Sequence, residues 1–289
     1  MARLEYNRGL SLHRAGDLKG ALEALGIAID RFAEVGGAES RVAALTAMAR
    51  IYLDQVEFEA ARAALETAAA IEIENPLRRA SLETARAELA MIETDFEQAE
   101  QRIRAARELR AEAGSPAWVR QSDIDLAQLH LERGQYQEAE LLARSVLEEL
   151  GSDGELSARV RATVTLARSL ADRRLHAEAR WELENVALLD LNQLDKQVQL
   201  KLRQQRARLY DGPSQIEQLQ MVRDHALAHG FRLLALETDA QLAIEMMLLN
   251  LSDESVRMAE SVIQNASDVG ALCVVDYLWR IKRTHQIVE

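Results

Sequence analysis

The chain repeats itself. The stretch RAGDLKGALEAL (14–25) recurs as DQVEFEAARAAL (54–65), IETDFEQAEQRI (92–103), ERGQYQEAELLA (132–143) and DRRLHAEARWEL (172–183). Each copy has a polar turn, then Leu18, Phe58, Phe96, Tyr136 or His176, and a small residue three further on. That residue is Ala21, Ala61, Ala99, Ala139 and Ala179, at spacings of 40, 38, 40 and 40. The series runs on less cleanly through Leu219 and Ser255. A second ladder lies twelve positions upstream: Gly9, Ala49, Ala87, Ala127, Ala167, Ala207 and Ala243. Breaks fall between the ladders with the same period, at Gly36-Gly37, Asn75-Pro76, Gly114-Ser115-Pro116, Gly151 to Gly154, Asn192, Gly230 and Gly270.

Two ladders in phase predict units of helix A, a short turn, helix B and a joint. A small residue at a fixed site lets helices approach closely, where a larger one would push them apart. The residue at each turn plugs the space between the two helices. No single hairpin buries its apolar face, but stacked hairpins share a continuous core. The units are expected at about 2–37, 38–76, 77–116, 117–153, 154–193, 194–230 and 231–268, with a capping helix over 271–287. The fold class expected is therefore all-α, a right-handed α-solenoid of seven hairpins plus a C-terminal cap, in a single domain over 1–289.

Composition agrees. Apolar residues make up 48% of the chain but aromatics only 4%, and there are only 13 glycines and 3 prolines among 289 residues, which favours long helices with short joints. A net charge of −12 argues against nucleic acid or an anionic membrane as partner. No apolar run is long enough for a transmembrane helix, and MARLEYNRGL does not read as a signal peptide. A lone cysteine, Cys273, rules out an intrachain disulfide and fits a cytoplasmic setting.

The pattern resembles the tetratricopeptide repeat (TPR) family, on Gly9, Gly16, Asp17 and Ala21 in the first unit and Ala127, Gly134, Tyr136 and Ala139 in the fourth. The resemblance covers about residues 2 to 265, with a period near 40 instead of the family's 34, as in bacterial regulator proteins. The sixth unit departs: LYDGPSQIEQL replaces the turn and Leu219 occupies the small site, so a local kink is expected. The first helix begins near Met1 without a cap, which reads as a segment of a longer protein.

In that family helix A lines a concave groove. Projecting the inward positions onto this chain gives 35 residues, with seven Arg or Lys and six Asp or Glu. The ligand-binding candidates among them are Arg14, Arg50, Gln128, Arg161, Arg168, Lys201, Arg208 and Met247. Arg161, Arg168, Lys201 and Arg208 form a basic cluster suited to an acidic peptide segment. Ile244, Met247 and Leu248 make an apolar, adaptable end. The Lys and Asn sites by which some relatives clamp chaperone termini are Tyr6, Leu10, Ala47, Ser81 and Ala85 here, so that mode does not fit. Of the groove asparagines by which peptide-sensing regulators hold a peptide backbone, only Asn7 lies near a matching site.

Catalytic and metal signals are weak. His225 and His229 share a helix face at i and i+4, but no third ligand and no H-E-x-x-H glutamate accompany them. His176 reads as packing and Cys273 as a buried structural thiol. Asn250-Leu251-Ser252 and Asn265-Ala266-Ser267 match the glycosylation pattern but have no secretion signal beside them. No phosphate-binding loop occurs, so no cofactor is expected. The sequence points to a non-enzymatic scaffold for a peptide or protein segment. Its rivals are a ligand-sensing segment of a larger bacterial regulator and a homodimer formed through the C-terminal helix, where Leu272, Val274, Val275, Leu278 and Trp279 offer apolar surface.

Overall fold

The computed structural model describes residues 1–151, 154–187, 191–210, 212–249 and 253–284. Seven hairpins follow one another among them: α1 (Ala2–Ala15) with α2 (Leu18–Glu34), α3 (Ala38–Asp54) with α4 (Phe58–Ala69), α5 (Pro76–Ile92) with α6 (Phe96–Glu112), and α7 (Pro116–Glu132) with α8 (Tyr136–Leu150). Then come α9 (Leu156–Asp172) with α10 (His176–Ala187), α11 (Lys196–Ala207) with α12 (Pro213–Ala228), and α13 (Arg232–Leu249) with α14 (Asp253–Asp268). A last helix, α15 (Leu272–Thr284), closes the series; residues 285–287 of the expected 271–287 cap lie outside the described residues.

Both ladders pack as the repeat requires. From Ala21 to Leu219 and Ser255, every member of the B-helix series is 0% exposed. The A-helix series is equally closed, and at Gly9 a Cβ would lie 2.8 Å from Leu25 Cγ, so only glycine fits there. Local signals start and stop the helices. Asp17 and Asp95 accept the backbone N–H of Gly20 and Gln98 at the heads of α2 and α6. Asn75 caps α5 ahead of Pro76, whose missing N–H costs nothing at a first helical position. The A–B turn has a left-handed residue at one fixed place: Gly16, Val56, Thr94, Gly134 and Arg174, with φ of 84°, 64°, 61°, 75° and 65°. Glycine takes that conformation without strain, and Val56 does not.

The sixth unit is the irregular one. Its A helix, α11, has 12 residues against 17 in α3, α5, α7 and α9. Leu219 at the small site is fully buried with Ala207 and Leu242, so the larger side chain is absorbed by a core of its own.

A feature that the repeat does not announce governs the overall shape. The superhelix is wound so tightly that each early A helix meets the A helix five units later: α1 touches α11, α3 touches α13 and α5 touches α15. The largest core cluster accordingly joins α3, α4 and α5 to α13, α14 and α15. A second joins α1, α2 and α3 to Leu200, Ala226, Phe231 and Leu234. The final helix does more than cap unit seven. Of the apolar residues expected to serve a dimer, Val274 and Leu278 lie in the core shared with α5, Val275 is half-buried, and Leu272 and Trp279 are exposed.

Candidate functional site

The odd-numbered helices form the inner layer, and their side chains meet in the channel of the superhelix. Its basic residues are paired in series. Arg168 donates to both carboxylate oxygens of Glu132, at 2.7 and 3.3 Å, and Arg208 to Asp172. Arg161 reaches Asp125 at 3.1 Å and Arg50 reaches Glu88 at 3.2 Å. Each pair links neighbouring A helices. Burial opposes the charge on Arg168, but Glu132 and Asp172 outweigh it and hold the guanidinium well above its ordinary value. Arg208 behaves alike through Tyr277 and Asp172. Of the four residues of the expected cluster, Arg161, Arg168 and Arg208 are thus each paired with a carboxylate inside the chain.

The other candidates separate. Arg14 is exposed and pairs with Asp195 at 3.6 Å, bridging the first unit to the sixth. Beside it His13 meets Asp54 at 3.3 Å, and Gln197 donates to the same carboxylate. Gln128 on α7 is half-buried and makes no hydrogen bond among the described residues. Lys201 is half-buried and unpaired among the described residues. The expectation of an open apolar end is corrected: Met247 is 5% exposed and Ile244 6%, because α3 packs against α13 and covers them, leaving Leu248 exposed. Asp211, another projected groove residue, lies outside the described residues.

Gln205, Gln241 and Tyr277, which sequence reasoning did not single out, join projected groove residues on the inner surface. A chamber of about 40 Å³ is walled by α7, α9, α11, α13 and α15. Glu132, Arg168, Glu237, Gln241 and Tyr277 are among its lining groups. Gln204 donates to Thr238 Oγ1 at 2.9 Å, so its amide is used. Burial pushes the Tyr277 phenol up to about 12, with Arg168 5.5 Å and Arg280 5.9 Å from its ring centre. Cys273 also lines this chamber, and burial raises its thiol well above the ordinary value, which keeps it protonated and unreactive. Nearer the N-terminus, Arg110 is 3% exposed and donates to Ser122 Oγ at 2.6 Å and Thr84 Oγ1 at 2.9 Å, tying α6 to α5 and α7. Nothing in a repeat pattern marks Arg110 or Tyr277, since neither recurs.

No group of three His, Cys, Asp or Glu side chains suited to a metal lies among the described residues. His225 Nδ1 instead sits 2.7 Å from the Met221 carbonyl. His176, expected to plug its hairpin, is exposed: the polar ring stays in solvent where no later unit covers the turn. The Asn250 glycosylation pattern lies outside the described residues, as does residue 152–153 of the fourth joint. No described helix is long and apolar enough to cross a membrane.

Solved structures share this architecture. A Rap protein complexed with competence and sporulation factor superposes with a TM-score of 0.74 at 16% identity, covering 95% of this chain and 76% of that one. The fold is a tetratricopeptide-repeat solenoid. RapI in its apo form matches at 0.64 and 15% identity over 92% of this chain and 99% of its own length. NprR in complex with its cognate peptide NprX matches at 0.53 and 11% identity over 98% and 83%. No family model matches the chain, and no curated protein does.

Proposed function

We propose that the chain is a non-enzymatic scaffold that binds a peptide or protein segment in the channel lined by its A helices. The observation that carries this reading is a small chamber between the inner helices, lined by Glu132, Arg168, Gln204, Glu237 and Gln241, on a solenoid similar in fold to a Rap protein complexed with a factor and to NprR in complex with a peptide. Buried polar groups cost stability unless paired, and a channel that keeps such groups available is organised for a ligand.

Arg161, Arg168 and Arg208 enter this proposal in a changed role. Each already holds a carboxylate of the chain. An acidic partner would have to displace Asp125, Glu132 or Asp172, so the pairs act as the channel's fixed frame. Arg50, held by Glu88, belongs to the same frame, and the partner's direct contacts then fall to Gln128, Lys201 and the chamber near Tyr277.

A second reading is a ligand-sensing segment of a larger regulator, in which a change of superhelical pitch is the signal. The five-unit contact favours it, because any change of pitch must move α1 against α11 and break the polar group of His13, Asp54 and Gln197.

The test is capture of peptides from a displayed random-sequence library. Gln128→Trp narrows the channel and is expected to abolish capture while circular dichroism stays unchanged. Leu141→Glu, on the outer face where Leu141 is 71% exposed, is expected to leave capture intact. Equal capture by Gln128→Trp would move binding away from the channel.

A further inference from the structure

The chamber behind the arginine frame has one acceptor pair that the chain leaves unused. Glu237 and Gln241 lie one helical turn apart on α13, on one face, and both line the chamber. Gln241 is 6% exposed, yet its Oε1 accepts no hydrogen bond. Glu237 is half-buried and has no hydrogen bond and no ion pair among the described residues. Among the other lining groups Glu132 accepts from Arg168, Gln204 donates to Thr238 and Gln205 accepts from Arg208, while Arg168 Nε makes no hydrogen bond and lies 3.9 Å from Asp172.

The charges around Glu237 cancel without it. Lys201 on α11 and Arg168 on α9 are positive, and Glu132 on α7 and Asp54 on α3 are negative. What remains is the carboxylate of Glu237 itself, since Lys201 acts on it from beyond ion-pairing distance. Burial raises its pKa, as expected of an uncompensated acid. A cavity of about 40 Å³ holds about three water-sized groups, which suits the head of one side chain and excludes a whole peptide.

We propose that this chamber is a cation subsite, in which Glu237 and Gln241 accept the primary ammonium or guanidinium group of a bound peptide. Tyr277, which lines the same space, bounds the subsite from α15. The preference is opposite in sign to the one the arginine-rich sequence suggests. It rests on the peptide-binding reading above, and the test separates the two.

In the first arm, n-butylammonium and ethylguanidinium stand in for lysine or amino-terminal and arginine head groups, with propionate as the anionic counterpart. The side-chain amide signals of Gln204, Gln205 and Gln241 are followed by NMR. Both cations are expected to shift them, propionate is not, and Glu237→Gln is expected to weaken the response about tenfold or more. Silent cations, or an equal response in Glu237→Gln, overturn the subsite. In the second arm, short peptides carrying one Lys or Arg compete with matched peptides carrying Glu. Capture of neither sinks the scaffold reading, and the first arm still decides the subsite. Capture of acidic peptides with silent cations keeps the scaffold and overturns the subsite.

Stability supplies a third readout. The folded pKa of Glu237 lies above its unfolded value, so ionisation favours the unfolded chain and stability falls as pH rises from one value to the other. Glu237→Gln is therefore expected to melt higher than the parent near neutral pH, with the gain vanishing below the ordinary carboxylate range. Equal melting temperatures near neutrality would mean that the carboxylate is already compensated and would overturn the subsite.

Discussion

The turn of unit two and the turn of unit five begin from the same local design and end in different surroundings. Both have a left-handed residue, Val56 at φ 64° and Arg174 at 65°, and both place a plug residue two positions on. Phe58, the plug of unit two, is 7% exposed, whereas His176, the plug of unit five, is exposed. The cause is distant in sequence. Phe58 packs in the cluster that holds Ala271 and Val274, and a Cβ on Gly270 would lie 3.6 Å from its ring. Leu18 in unit one is covered in the same way near Gly230. Unit five has no described unit five places further on. Local sequence therefore sets the shape of each turn, and the winding of the superhelix decides which turns become core.

The widest gap between the two regions is expected at the plugs. Phe58→Ala removes a buried aromatic from the between-turn core and should cost about 3–5 kcal/mol. His176→Ala should fall within about 0.5 kcal/mol of the parent, as exposed substitutions do. Urea unfolding of both variants measures the difference. Similar losses at the two sites would show that plugs act within their own hairpin, and the comparison would fail.

A smaller effect is expected where the repeat acts alone. Ala139, fully buried inside unit four, tolerates nothing larger, and Ala139→Leu should cost about 1–3 kcal/mol by overpacking. At the seam, Arg280 donates to the carbonyls of Leu131 and Glu132 at the end of α7. Arg280→Met should cost about 1–2 kcal/mol, since the charge also favours that helix terminus. Hydrogen exchange separates the two: Ala139→Leu should loosen α7 and α8 locally, and Arg280→Met should loosen α15 together with the end of α7.

What was legible in the sequence follows the same division. Contacts between one unit and the next recur at a fixed spacing, so the ladders of Ala21 and Ala49 revealed hairpins, joints and packing sites. The near-balance of charge on the inner face was also countable, and it now reads as Arg168 with Glu132 and Arg208 with Asp172. Contacts between unit and unit five places on have no repeating mark. They depend on curvature summed over some two hundred residues, to which each joint adds a small rotation. Met247 was for that reason placed on an open groove, and Tyr277 and Arg280 were passed over. Arg110 escaped because a buried arginine looks the same in sequence as the solvated ones around it.

The smallest effect tests whether the backbone of the turn is independent of the seam. Left-handed φ costs a side-chain-bearing residue about 1–2 kcal/mol, of which glycine recovers part after its own entropic cost of about 0.5–1 kcal/mol. Arg174 is exposed, so Arg174→Gly gives up no buried contact and should lie within about 0.5 kcal/mol of the parent. Val56 has the same φ but packs against the between-turn core, so Val56→Gly gives up buried contact along with the strain. Its urea midpoint should lie below that of Arg174→Gly and at or below that of the parent. If the two midpoints coincided, the Val56 side chain would contribute nothing to the seam, and the burial of Phe58 would rest on the aromatic ring alone.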